Sequence, residues 1–311
     1  MGYTKVGILG YNEGNGHPYS FSAIINGYNS KMMGETPFSV IEDYLSNRKP
    51  EEFGIGNLKV TQVWAPDRCI AENIASFSYI DNVVKEYKDM IDEIDVVIIA
   101  RDDPESHKEI ASFFLEKGKI VFVDKPLCNN LEELKYFMPW IREGKLMSCS
   151  GFRYYPSIIN EFEGKLEIDD IIFSNSIGIN DWFKYGIHLL EGITPIFGDK
   201  IKWVQNIGYK GNNIVRVEYE NGKYALLQVN NDLGFILRSS FYSVKTNHIT
   251  IDYDDNFSCF RNLLHAFNKQ IMTGNPAIDP DETETIIKAM IAGNKSIEEG
   301  GRKVNLKELN S

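Results

Sequence analysis

The sequence predicts an α/β protein of two domains, a doubly wound parallel sheet followed by an α/β domain with a mainly antiparallel open sheet. Three observations carry this. Short apolar runs alternate with helical stretches through the first half, the signature of parallel strands joined by crossover helices. Residues 95–100 (DVVIIA) are almost wholly apolar, as a central strand buried on both faces requires. Beyond about Phe152 the pattern changes to strand-rich sequence, with Asn221-Gly222 set between two strands as a hairpin signal.

Taken in order, residues 4–9 form a buried strand that runs into a glycine-rich turn, Gly10 to Gly16, and then a helix over 17–26. Residues 58–64 are the second strand and 67–76 a helix. After the strand at 95–100 comes a helix over 104–117, where Pro104 suits the first turn and Gly118 the end. Residues 119–123 are a buried strand, followed by Asp124-Lys125-Pro126. A helix over 131–142 is kinked or shortened by Pro139, and 146–152 is a further strand. The segment 27–56 is too long for an ordinary connection but carries enough apolar residues to be ordered, with a short helix over 39–47. It lies over the crevice at the strand ends or serves a subunit contact. In the second half, strands at 214–219 and 224–229 flank a type I′ turn, strands at 235–243 and 246–252 follow, and helices over 257–273 and 281–298 close the chain. The domains are expected at 1–126 and 127–311, the last helix packing back on the first.

Composition narrows the function. A chain of 311 residues with 43% apolar content can bury two cores. The formal net charge of −11 opposes nucleic-acid binding, which needs cations to neutralise phosphates. No apolar run reaches membrane length and the start lacks a signal-peptide layout, so a cytoplasmic protein is expected. The four cysteines, Cys69, Cys128, Cys149 and Cys259, lack metal-ligand spacing and read as reduced thiols; no metal is expected.

A strand, a glycine-rich turn and a helix place a pyrophosphate on a helix N-terminus, where free N–H groups and the helix dipole favour an anion. The turn departs from G-x-G-x-x-G: Gly10 fits the first position, but Asn12 stands at the second and Asn15 at the third, beside Gly14 and Gly16. Asn12 tolerates left-handed backbone and is a workable substitute. A tight structural turn is the competing reading. Gly10, Asn12, Glu13 and Gly14 are the candidate cofactor-binding residues of the turn; Ala100, Arg101, Asp124 and Lys125, at the ends of the central strands, complete the set. The second strand ends at Trp64-Ala65, without the acidic residue that holds adenosine ribose hydroxyls. Arg68 either meets a 2′-phosphate, which tilts the expected cofactor from NAD to NADP, or sits solvated in the first turn of a helix.

The stretches Ile98 to Ala111 and Lys117 to Leu127, with Asp124-Lys125-Pro126 in the place of a Glu-Lys-Pro hallmark, resemble the glucose–fructose oxidoreductase, inositol dehydrogenase and MocA-like family. Gly151 to Pro156, Gly186-Ile187-His188 and the tail around Gly274 and Ala292 extend the resemblance over almost the whole chain. It implies an N-terminal Rossmann domain, a C-terminal open-sheet domain that pairs with a second subunit, and hydride transfer between NAD(P) and a sugar, nucleotide sugar or polyol. Carried over, Lys125 orients the cofactor and the reacting hydroxyl, and His188 exchanges its proton, which suits an imidazole that titrates near neutral pH. The family often has an acidic residue four before the histidine; here it is Lys184, which lowers the histidine pKa or binds an anionic substrate group, with Asp181 a nearby compensating acid. Arg153 and Tyr155 are candidate substrate contacts, Tyr155 with interdomain packing as the competing reading. His17, just past the glycine turn, is a possible phosphate neighbour. Two other functions stay open: an enzyme that uses tightly held NAD for elimination, epimerisation or hydrolysis, and a non-catalytic binding protein on the same scaffold.

Overall fold

The computed structural model describes residues 2–160, 168–245 and 248–309. The first stretch holds β1 (Thr4–Leu9), α1 (His17–Asn26), α2 (Ser39–Ser46), β2 (Leu58–Trp64), α3 (Arg68–Phe77), β3 (Asn82–Val83), β4 (Val96–Ile99), α4 (Pro104–Leu115), β5 (Ile120–Val123), α5 (Leu131–Arg142), β6 (Leu146–Met147) and α6 (Pro156–Asn160). Then come β7 (Ile171–Ile179), α7 (Ile187–Phe197), β8 (Ile201–Asn206), β9 (Asn212–Tyr219), β10 (Tyr224–Asn230), β11 (Leu237–Ser243), β12 (His248–Asp252), α8 (Asn256–Thr273), α9 (Pro280–Glu298) and β13 (Val304–Asn305).

The chain divides into two compact units. One is Met1–Leu127, Pro139–Ser148 and Asn256–Ala277; the other is Cys128–Met138, Cys149–Asp255 and Ile278–Ser311. The sequence suggested one boundary at 126/127 and a return of the last helix. The helix that joins the first unit is instead α8, while α9 stays in the second. The reason is aromatic: Phe260 meets Phe21 of α1 edge-on at 5.4 Å, and Phe267 lies 5.6 Å from Phe122 of β5.

The first unit is a six-stranded parallel sheet in the order β3-β2-β1-β4-β5-β6, the arrangement of a doubly wound nucleotide-binding sheet. Leu9 pairs with Ile99 and Ile99 with Val123, so β1, β4 and β5 end side by side. The segments that follow them, from Gly10, Ala100 and Asp124, therefore emerge at one sheet edge. Asp67 caps α3 by accepting from the Cys69 N–H at 2.8 Å. Helix α5 continues through Pro139. Strand β6 is shorter than the 146–152 expected, because Ser150 accepts from the Phe152 N–H and starts a 3₁₀ turn, Gly151–Tyr154.

The segment 27–56 is ordered and contains α2, which packs on α1. Tyr44 donates to Ser20 Oγ at 2.5 Å, and the Phe38 ring lies 5.8 Å from Tyr19. With α8 it covers the outer side of α1, which explains why eight consecutive residues, Pro18 to Ile25, are buried on a helix of modest length.

The second unit is a seven-stranded sheet in the order β12-β11-β7-β10-β9-β8-β13, antiparallel except for the β7–β10 pair. The β9–β10 hairpin forms as expected, but not through a type I′ turn. Gly222 alone has positive φ there (83°), and its N–H closes on the Tyr219 carbonyl at 3.2 Å. The predicted strand start at Thr246 and Asn247 lies outside the described residues. Helices α7 and α9 pack on one face. The opposite face carries a stacked row across strands: His248 on Tyr242, Tyr242 on Phe173, Phe173 on Tyr224, with the Arg216 guanidinium 4.7 Å from the Tyr224 ring centre.

Candidate active site

In the first unit the three segments at the strand ends are tied together by polar side chains. Gly10 donates to the Trp64 carbonyl at 2.9 Å, and a Cβ there would come within 2.3 Å of Pro18. Asn12 does not use the left-handed backbone that its type allows: of the turn residues only Gly14 has positive φ, 82°. Asn12 instead clasps Asp102, giving its amide to the carboxylate and accepting the Asp102 N–H at 3.0 Å. A glycine at this position could not make that link. Arg101 donates to the Tyr11 carbonyl at 3.0 Å and forks onto Asp103, so it braces the turn. Ala100 is fully buried and donates to the Leu9 carbonyl. Glu13 and Gly14 are exposed, and a Cβ on Gly14 would meet nothing within 4 Å.

Asp124 and Lys125 are both buried. Asp124 Oδ2 lies 2.5 Å from His17 Nδ1 and accepts from the Asn15 amide at 3.1 Å; Oδ1 takes the Lys125 N–H. Burial works against this carboxylate's charge, but the His17 imidazole, then the Lys125 ammonium and the Asn15 amide, pull its pKa down to about 2. The Lys125 ammonium lies 3.6 Å from Asp102 Oδ2. His107 points its two ring nitrogens at the carbonyls of Leu127 and Arg101, which fixes the loops on both sides of Lys125. The peptide bond between Lys125 and Pro126 is cis.

These residues fit a dinucleotide. Helix α1 is uncapped by any side chain at Gly16, has no acidic residue in its first turn, and is preceded by the open Gly14. The His17 N–H is taken by Asn15 Oδ1 at 2.8 Å, Pro18 has none and the Tyr19 N–H turns to the Gly16 carbonyl, so it is the helix dipole that α1 offers an anion. Arg68 sits in the first turn of α3, largely exposed and paired with Glu72 at 2.8 Å.

In the second unit, His188 lies in the first turn of α7, buried, with Nδ1 2.6 Å from Ser150 Oγ. Its ring tilts against Phe152 at 4.9 Å. Helix α7 is entered through a π-helical turn, Trp182–Gly186, a rare geometry that recurs at functional sites. Trp182 pins it by donating to the Met290 carbonyl at 2.9 Å and filling the space a Cβ would need on Gly186 and Gly293. Lys184 is half-buried on this turn and makes no side-chain hydrogen bond or ion pair among the described residues. Asp181 makes no ion pair with the Lys184 ammonium among the described residues; its carboxylate accepts the Lys184 backbone N–H and caps the turn.

Two proposed substrate contacts are committed elsewhere. Arg153, 8% exposed, is clamped by Glu191 at 2.6 Å and by Glu282. Burial opposes its charge, yet the two carboxylates hold its pKa above the usual guanidinium range. The Tyr155 hydroxyl donates to Asp254 at 2.6 Å and accepts the Asp254 and Asp255 N–H groups. It sits in an aromatic cluster with Tyr253 and Phe152, so it packs and anchors a loop. Asp102, Ser150 and Glu191 were not singled out from sequence; the one available signal was Asn12 standing where a glycine is expected.

Residues 40–150 match the model described as the oxidoreductase family, NAD-binding Rossmann fold. No curated protein matches the sequence. Among solved structures the chain is similar to a myo-inositol dehydrogenase from Corynebacterium glutamicum, at 15% identity and a TM-score of 0.73 over 98% of this chain and 99% of that one. It is similar to scyllo-inositol dehydrogenase from Lactobacillus casei at 15% identity, TM-score 0.73, over 98% and 99%. GenD2 from gentamicin A biosynthesis, in complex with NAD, gives 14% identity and a TM-score of 0.73 over 98% and 97%. At such identities these likenesses are of fold. The family match spans residues 40–150, rather over a third of the chain, and includes the motif at Asp124-Lys125-Pro126.

Proposed function

We propose that the protein is an NAD(P)-dependent dehydrogenase or reductase for a sugar, nucleotide sugar or related polyol. The observation that carries this reading is Lys125: a buried ammonium at the carboxyl edge of a parallel sheet, held against Asp102, with its backbone N–H on Asp124, near the start of α1. Ligands of such sheets bind at that edge. The inositol dehydrogenases that share the fold, and GenD2 with its NAD, support the substrate class and the cofactor. NAD(P), when bound, would supply the hydride carrier; Gly10, Asn12, Glu13, Gly14, Ala100, Arg101, Asp124 and Lys125 are the residues that would hold it.

In this reading Lys125 donates a hydrogen bond to the reacting oxygen and orients the nicotinamide. His188 takes the hydroxyl proton in oxidation and returns it in reduction. Ser150 fixes the His188 ring, and Lys184 receives an anionic group of the substrate. The Arg68–Glu72 pair is exposed and of the kind worth about 0–1 kcal/mol, so a 2′-phosphate competes well for the guanidinium and NADP is preferred. A second subunit docks on the open face of the seven-stranded sheet, over the Tyr242–Phe173–Tyr224 row.

The test is a titration with NADH and NADPH followed by reduced-nicotinamide fluorescence, after removal of carried-over nucleotide. Saturable binding, tighter for NADPH, is expected, and Lys125→Ala should cut turnover by orders of magnitude with the fold intact. Absence of binding to either cofactor refutes the reading. His188→Asn should change the rate and the pH–rate profile together; an unchanged profile removes His188 from proton transfer.

A further inference from the structure

The segment 27–56 takes no part in the chemistry proposed above, yet it builds a cavity of about 460 Å³ within the first unit. The walls are Tyr28 and Phe53 from the segment, Tyr79 from the turn after α3, and Ile25 at the end of α1; Arg48 and Ser30 supply polar groups. This is the size and lining of a small-molecule site, mostly apolar with few polar groups. Tyr28 and Phe53 are fixed by packing: Tyr28 stacks on Phe77, and Phe53 meets Phe257 edge-on. The Arg48 guanidinium is held over the Phe257 ring, 4.8 Å from its centre, with the Glu52 carboxylate 3.7 Å away; that pair is partly exposed and therefore weak, so a ligand anion competes with Glu52 for it.

Tyr79 is the second observation. Its φ is 50°, a left-handed conformation that a bulky side chain enters at a cost, and its ring is 53% exposed. Packing therefore does not repay that conformation. The backbone holds an aromatic face towards solvent at the rim of a cavity that already has two aromatic walls.

We propose that this cavity is a regulatory site for a planar aromatic anion, its ring bound among Tyr28, Phe53 and Tyr79 and its charge met by Arg48. Stacking on aromatic side chains and charge neutralisation by a guanidinium are the two interactions such a ligand needs. The same segment reaches the glycine turn at its other end. Phe38 lies 6.2 Å from the Tyr11 ring, and a Cβ on Gly16 would meet Ile41 at 2.4 Å and Phe38 at 3.0 Å. A ligand that shifts the segment therefore acts on the turn that the proposed cofactor uses.

The test uses 8-anilino-1-naphthalenesulfonate, a fluorescent aromatic sulfonate, on the full chain. One saturable site is expected, at least tenfold weaker in Tyr79→Gly, which removes the ring but suits the positive φ, and weaker in Arg48→Met. The uncharged analogue N-phenyl-1-naphthylamine should lose less than threefold in Arg48→Met. NADPH should shift the sulfonate affinity without displacing the probe. Equal affinity in Tyr79→Gly, or full displacement of the probe by NADPH, overturns the proposal. Failure of NADPH to bind at all, with Tyr79-dependent probe binding intact, counts against the dehydrogenase reading and leaves the site standing.

Discussion

Arg153 offers the sharpest test of how the second unit is built. Substitution Arg153→Met keeps an unbranched apolar stem and removes the charge. Its partner Glu191 is 3% exposed and loses the guanidinium that lies 2.6 Å away; Glu282, at 29%, can rehydrate. Breaking a buried pair by removing one partner costs about 3–5 kcal/mol, because the other charge is left unpaired in a medium of low polarity. Arg153→Met should therefore destabilise the protein by about that much, read as a fall in the urea midpoint followed by tryptophan fluorescence. Glu191→Gln placed in the Arg153→Met background should restore much of the loss, since a neutral amide is far cheaper to bury than a carboxylate. A double-mutant cycle should give a coupling towards the upper end of the usual range, about 2–3 kcal/mol. If Arg153 were a substrate contact, the same substitution would raise KM and leave the midpoint alone. A loss under about 1 kcal/mol, or additivity of the two substitutions, would refute the clamp.

Gly186→Ala has an alanine-compatible backbone (φ −58°, ψ −34°) and would gain helix propensity, but its Cβ falls 2.3 Å from the Trp182 ring, which Met290 and Gly293 prevent from yielding. The net should be a loss of about 1–3 kcal/mol in urea unfolding, against a gain of about 1 kcal/mol if the ring could move. Asp124 has a folded pKa near 2 against an ordinary 3.8, so its contribution is complete above pH 3.8 and is lost as the pH falls towards 2. That contribution is about 2 kcal/mol, and in Asp124→Asn the fall in stability between pH 4 and 2 should flatten accordingly. Of the four cysteines only Cys69 is exposed, and burial pushes the Cys128 thiol up to about 12. Ellman's reagent should titrate one thiol in the native protein and four after denaturation.

The first unit was legible because each of its signals is local. Residues 4–9, 17–26 and 58–64 have the bounds read from sequence, since a continuous apolar run, a glycine turn and a proline near a helix start each act over a few residues. The second unit was less so. Strands β7 and β8 and helix α7 went unread. In β7 the buried positions include Ser174 and Ser176, and Ser176 is satisfied by Ser239 of the neighbouring strand at 2.7 Å, so the inward face does not look apolar. Helix α7 starts from a π-helical turn and is buried at almost every position, which removes the amphipathic period that marks a surface helix.

The site shows the same division, and it explains the departures in the glycine turn. Lys125 and His188 were readable because one follows a buried strand and the other sits in a motif. Their partners were not, because Asp102 reaches Asn12 across 90 positions of sequence and Ser150 reaches His188 across 38. Asn12 and Asn15, which look like defects in G-x-G-x-x-G, each give a side-chain amide to a carboxylate beside Lys125. The glycines they replace would leave Asp102 and Asp124 each with one hydrogen bond fewer in a buried region, where an unpaired acceptor costs about 1–3 kcal/mol. The altered turn and the lysine are one device. Asp102 holds the Lys125 ammonium, Asp124 holds the Lys125 backbone N–H, and the asparagines hold both carboxylates, so restoring glycine at 12 or 15 should loosen the lysine rather than improve the turn.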